Sequence, residues 1–298
     1  MSEPSPTDQP PIVVGVGLTA ESQYVLEKVC GLAGGPERIM AVYALDPTVS
    51  YFQFDPSASD AVAGSMQNVR REAQEQLQSL CSVHGISRFT VMEGKPAEVL
   101  HEAAAAEGAS TVAVGSHGHR GWRALLGETA SAVLHGANCN VLAVLTKDRD
   151  TPPALSYQRI LIAVDMTDET EGVIAAALAL RERFDAELSI MTAIKPLTQS
   201  YPGLDLSTMS ASEAGFETEA ISQYTAALAA LCERHGISGG YSVGHGPAAE
   251  EIHRAAAEQG ADLVVLGSHG RHGLQLIQGS TPNAVLHGMT CDVYAVRL

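Results

Sequence analysis

The chain has 298 residues, of which 45% are hydrophobic and 17% charged, and its formal charge is −16. At roughly 150 residues per domain this length holds two domains, and the composition is too apolar for a disordered chain. The acidity disfavours nucleic-acid backbones and anionic membrane surfaces as partners, but a few local donors can still hold a small anion.

In chain order, MSEPSPTDQPP carries no basic residue and no apolar stretch, so it reads as a short lead-in and not as a signal peptide. Five short apolar runs follow: IVVGVG, RIMAVYAL, RFTVMEG, STVAVG and NVLAVL. Between them lie stretches with helical spacing, such as VRREAQEQLQSLCSVHG and PAEVLHEAAAAEG. A long loop with Tyr51, Phe52 and Phe54 follows the second run. It can close over a ligand or merely cover the end of a sheet. KDRDTPPALSYQ (147–158) is polar, holds Pro152 and Pro153, and reads as a linker. The order then repeats with ILIAVD, LSIMTAI, GYSVG, DLVVLG and DVYAVR, and Tyr201 lies in the second long loop.

Near-continuous apolar strands alternating with helices predict a parallel sheet covered on both faces. The fold expected is α/β: two tandem doubly wound domains, residues 1–148 and 157–298, each with a five-stranded, mainly parallel sheet. The duplication is explicit. Residues 110–145 and 262–297 align without gaps at 17 identities in 36 positions. LCSVHGIS (80–87) matches LCERHGIS (231–238), and HEAAAAEGA (101–109) matches HRAAAEQGA (253–261). Cys30, Cys81, Cys139, Cys232 and Cys291 are odd in number and form no CxxC pair, which favours buried thiols and a reducing cytoplasm over disulfides or zinc.

The fourth strand of each copy runs into GSHG. In the second copy this is Gly267-Ser268-His269-Gly270, followed by Gly279-Ser280-Thr281 at the start of the last helix. Glycines let a backbone approach an anion closely, and a helix N-terminus presents N–H groups and partial positive charge to it. Ser280 can cap that helix or meet a phosphate, and Pro282 is tolerated in the first turn.

These segments resemble the universal stress protein family, once per half and over nearly the whole chain. Family members carry G-x2-G-x9-G-[ST] before the last helix, and here the second spacer is one residue shorter. The resemblance implies ATP or a related adenine nucleotide, with Mg as an accompanying ion. By motif it implies a site of Asp165, Ala193, Leu266, Gly267, Gly270, Gly279, Ser280 and Thr281. It also implies an internal pseudo-dimer in which the last strands pair. A branch of the family does not bind ATP, so a nucleotide-free interaction scaffold stays open. The first copy departs further, with Gly17 in place of Asp165 and Glu128 in place of Ser280. An acid where a phosphate would sit repels it by roughly 4 kcal/mol at ~4 Å and an effective dielectric of 20. The first copy is therefore expected to be mainly structural.

Other patterns are set aside. Gly15-Val16-Gly17 with Ala20 has dinucleotide-motif spacing, but the second copy lacks it and no acid follows at the usual distance. Asp165 has no activating partners for a phosphorylated aspartate, and Asp168 with Glu171 reads as a capping box. His117, His119, His269 and His272 lack companion ligands at metal spacing, so they read as solvated loop residues or phosphate donors. His135 and His287 read as structural residues at helix ends near the sheet. Arg70 and Arg71 read as a solvated helix face, and Trp122, matched by Leu274, as a packing residue. No positioned base or metal-binding carboxylate pair supports efficient catalysis, and slow hydrolysis stays open.

Overall fold

The computed structural model describes residues 9–46, 59–116, 128–146, 153–196, 211–268 and 281–298. It divides into two units, Met1–Ser156 and Tyr157–Leu298. In the first, β1 (Ile12–Gly15), β2 (Ile39–Leu45), β3 (Arg88–Glu93), β4 (Thr111–Ser116) and β5 (Asn140–Leu145) alternate with α1 (Ala20–Ala33), α2 (Ser59–Val83), α3 (Pro96–Glu107) and α4 (Glu128–Gly136). In the second, β6 (Arg159–Ala163), β7 (Glu187–Ile194), β8 (Tyr241–His245), β9 (Leu263–Gly267) and β10 (Asp292–Val296) alternate with α5 (Thr170–Phe184), α6 (Ala211–His235), α7 (Ala248–Gln259) and α8 (Thr281–Leu286).

Strand order within the first unit is β3-β2-β1-β4-β5, and within the second β10-β9-β6-β7-β8. Every pairing inside each unit is parallel. The chain builds outward from the first strand of each unit, then crosses to its other side. The switch point therefore lies between β1 and β4 in one unit and between β6 and β9 in the other. This is the doubly wound α/β fold that the alternation predicts.

The central strands are apolar along their whole length because helices cover both faces. Val13, Val14, Ile39, Val112 and Leu142 are buried in one unit, and Ile160, Leu161, Ile162, Val264 and Val265 in the other. α3 and α7 end alike, at Gly108 and Gly260 with φ near +60°. In this left-handed conformation a side chain is costly, so glycine stops the helix at a defined residue. Among the described residues no helix is long and apolar enough to cross a membrane.

Residues 153–156 are seated on α1. The buried Lys28 ammonium donates to the Ala154 carbonyl at 2.9 Å, and the Leu155 carbonyl lies over Gly31. Tyr157, read from sequence as the linker's end, is instead 1% exposed. Its hydroxyl donates to Asp292 Oδ2 at 2.7 Å, and its ring meets Phe184 edge-on with centroids 5.2 Å apart. The Asp262 carboxylate takes the N–H groups of Gln158 and Arg159 at 2.7 and 3.1 Å, which starts β6.

Two expectations need correction. Asp168 does not cap α5. The N-cap is Glu169, without a side-chain cap bond, and Glu171 instead reaches Arg234 and His235 near the end of α6, at 2.8 and 3.0 Å. A tertiary ion pair takes the carboxylate that a local box would have used. His135 and His287 do stand at or just past the ends of α4 and α8, but both are exposed to solvent.

Candidate functional site

The site is built at the carboxyl ends of β6, β7 and β9. Ala163 pairs with Met191 on one side and Leu266 on the other. Past Ala163 the turn is pinned to β7: the Val164 N–H donates to the Met191 carbonyl at 3.0 Å, and the Val164 carbonyl accepts from Thr192 Oγ1 at 2.8 Å. Asp165 comes next and is half-buried, and its Oδ1 accepts a 2.7 Å bond from the Thr167 hydroxyl. Ala193 lies two residues beyond Met191 on β7. Leu266 and Gly267 end β9, where they pair with Ala295 and Val296. Asp165, Ala193, Leu266 and Gly267 thus gather on three neighbouring strands flanking the switch point.

Thr281 opens α8 and is exposed. Gly270, Gly279 and Ser280 lie outside the described residues, as do His117, His119, His269, His272, Trp122 and the aromatics Tyr51, Phe52, Phe54 and Tyr201. Glu128 is the first residue of α4.

The matching turn in the first unit is built the same way but satisfied differently. The Val16 N–H donates to the Val42 carbonyl at 3.0 Å. The Gly17 N–H donates to Ser22 Oγ at 2.8 Å, so that amide is already taken by the chain. A Cβ at Gly17 would meet nothing closer than 3.9 Å, so packing does not forbid an aspartate there. Asp46 directly follows β2, the strand end where a dinucleotide motif places its acid. The spacing to the glycines is longer than that motif uses, and Gly17's amide is already engaged.

Sequence reasoning missed three features. Leu18 and Met166, one residue past Gly17 and Asp165, have φ of 51° and 57°. A left-handed non-glycine residue costs on the order of 1–2 kcal/mol, and both copies keep it, which marks the turn as constrained. Lys195 stands exposed just past β7, where the first unit has Asp46, so the charge at that strand end is reversed between the units.

The third feature is a clamp on the last helix. His253 Nε2 lies 2.8 Å from the Val285 carbonyl, and His101 Nε2 lies 2.9 Å from the Val133 carbonyl. Each ring nitrogen, as donor, satisfies a carbonyl that the short helix leaves open. The signal was present in the sequence: the spacing of 32 residues is the same in both copies. Removing either ring by alanine should cost about 1 kcal/mol, while glutamine, which can still donate, should recover part of it. Urea midpoints of the four variants check this.

A half-exposed carboxylate at a switch point is an acceptor for hydroxyl groups of a ligand. Among the described residues no three histidine, cysteine, aspartate or glutamate side chains gather as a metal site. The cysteines are thiols, and burial pushes that of Cys81 up to about 11, which leaves it protonated and unreactive near neutrality.

Two doubly wound, parallel-sheet domains in tandem define the class: a duplicated α/β protein. Residues 10–144 and 156–297 each match the universal stress protein family profile, and the chain belongs to that family. Universal stress protein A homolog 2 of Coxiella burnetii is 36% identical over 151 residues, which are 48% of this chain and 97% of that protein. A universal stress protein of Mycobacterium tuberculosis is 30% identical over 200 residues, 63% of this chain and 62% of that protein. The crystal structure of a universal stress protein from Archaeoglobus fulgidus shares the fold at 20% identity and a TM-score of 0.61, covering 97% of this chain and 96% of that one.

Proposed function

We propose that this universal stress protein binds ATP or another adenine nucleotide in its C-terminal domain and acts as a regulatory binding module. The observation that carries the reading is the gathering of Asp165, Ala193, Leu266 and Gly267 at the switch point of β6, β7 and β9. There the carboxylate would accept from ribose hydroxyls and the strand-end backbone would line the base. Gly270, Gly279, Ser280 and Thr281 would hold the phosphates, with Mg shared among the phosphate oxygens. Lys195 adds a cation at the same edge. The first domain (1–148) would be a structural partner to the second (157–298). Gly17 offers no carboxylate and Ser22 already engages its amide.

Free thiol chemistry suits a reducing cytoplasm. By the family's habit the last strands, Asn140–Leu145 and Asp292–Val296, would pair within the chain, and light scattering of the intact protein would then read one chain per particle. Extraction of protein purified without added ligand tests the main reading. Adenine nucleotide in the extract at a substantial fraction of the chain supports it. The shortened spacer between Gly270 and Gly279 favours the nucleotide-free scaffold instead. A protein that emerges empty and gives no heat with ATP would establish the scaffold.

A further inference from the structure

The two matched turns are bonded differently, and the difference points to a residue that the site above does not include. Ser22 and Thr170 occupy the same place, five residues past Gly17 and Asp165. Both are buried, at 4% and 6% exposure. Their backbones are held alike: the Ser22 N–H donates to Thr19 and the Thr170 N–H to Thr167, at 2.9 and 3.1 Å. Ser22 Oγ accepts the Gly17 N–H. Thr170 Oγ1, by contrast, is buried and has no hydrogen-bond partner among the described residues. The Asp165 carboxylate accepts instead from the Thr167 hydroxyl.

A buried hydroxyl without a partner is costly, and each one calls for a physical reason. We infer that Thr170 is a positioning residue for Asp165, held in reserve for the ligand-bound turn. When a ligand's hydroxyls draw the carboxylate away from Thr167, the turn tightens. Thr170 Oγ1 then accepts the Asp165 N–H, the bond that Ser22 already makes to Gly17. The N-terminal turn is the locked form and the C-terminal turn the open one. This role rests on the nucleotide reading above, and it adds to that reading how the site responds to its ligand.

Thr170→Val keeps the shape and removes the hydroxyl. In a purely structural role the hydroxyl would stabilise the empty protein. In reserve it does not, and deleting an unsatisfied group is neutral or favourable. The test is urea denaturation without ligand together with calorimetric titration of ATP into the full chain. The unmodified chain, Thr170→Val, Thr170→Ser and Ser22→Ala are compared. The expected result is a Thr170→Val midpoint at or above that of the unmodified chain with ATP binding weakened roughly fivefold, the worth of one net hydrogen bond. Thr170→Ser should restore the affinity. Ser22→Ala should lower the midpoint and leave the ATP heat unchanged. A lowered midpoint in Thr170→Val, or undiminished affinity, would overturn the role of Thr170 alone. No ATP heat from the unmodified chain would overturn the nucleotide reading and this role with it.

Discussion

Gly31→Ala should lower stability by about 1–2 kcal/mol net, against the usual preference of helices for alanine. Inside α1 that replacement ordinarily gains about 1 kcal/mol. Here the new Cβ would overlap the Leu155 carbonyl oxygen and lie 2.9 Å from its carbon. Both are backbone atoms, so no rotamer change relieves the overlap. Either α1 shifts, at the 1–3 kcal/mol typical of overpacking, or residues 154–155 lift and Lys28 loses the Ala154 carbonyl. A buried ammonium that loses a charge-assisted bond adds about 1.5–3 kcal/mol. Both routes exceed the gain in propensity. Urea denaturation gives the magnitude, and limited proteolysis at 147–158 shows which route is taken. Equal or greater stability in the alanine variant would mean that residues 154–155 are not seated as described.

Tyr157→Phe should cost about 2 kcal/mol near neutral pH, because it removes the donor to the buried Asp292 carboxylate while leaving the ring against Phe184. The same pair predicts a pH dependence. Burial, first of all, and then the Asp292 charge push the Tyr157 hydroxyl well above its usual 10.0. In the unfolded chain the phenol loses its proton near 10. In the fold it keeps the proton to higher pH. The unfolded state therefore binds fewer protons above pH 10, and stability falls as pH rises through that range. Below pH 10 this contribution is constant. Urea midpoints from pH 8 to 11 should fall less steeply in Tyr157→Phe than in the unmodified chain. Parallel slopes would show that the buried hydroxyl does not set the alkaline limit.

These two residues also show where sequence reading stopped. The strands were legible because each is a local apolar run bounded by turn residues. The duplication was legible because identities recur at one offset. Asp165, Ala193, Leu266 and Gly267 came from the family resemblance and not from periodicity, and the fold sets them at or just past the ends of β6, β7 and β9. Tyr157 was read as linker because nothing near it in sequence indicates burial; its partner Asp292 is 135 residues away. Nothing near Gly31 in sequence shows why a glycine stands there, because the carbonyl that requires it belongs to Leu155. Asp168 and Glu171 form a sound local box that a tertiary pair with Arg234 and His235 overrides. The left-handed Leu18 and Met166 carry no signature, since neither residue type prefers that conformation. The difference between Ser22 and Thr170 is visible in sequence as a conservative change, but only the bonding pattern gives it meaning.

The proposed function amounts to one adenine-nucleotide site per chain, in the C-terminal domain, held by the Asp165 carboxylate and the Gly279 loop. Calorimetric titration of ATP with magnesium into the intact chain tests it most directly, alongside Asp165→Ala, Gly279→Ala and Gly17→Asp. The expected stoichiometry is near one, with binding lost or strongly weakened in the first two variants. It is unchanged in Gly17→Asp, where Ser22 still engages the amide of residue 17 and the sequence still has Glu128 in place of Ser280. No heat from the unmodified chain, or heat that survives both C-terminal substitutions, would contradict it.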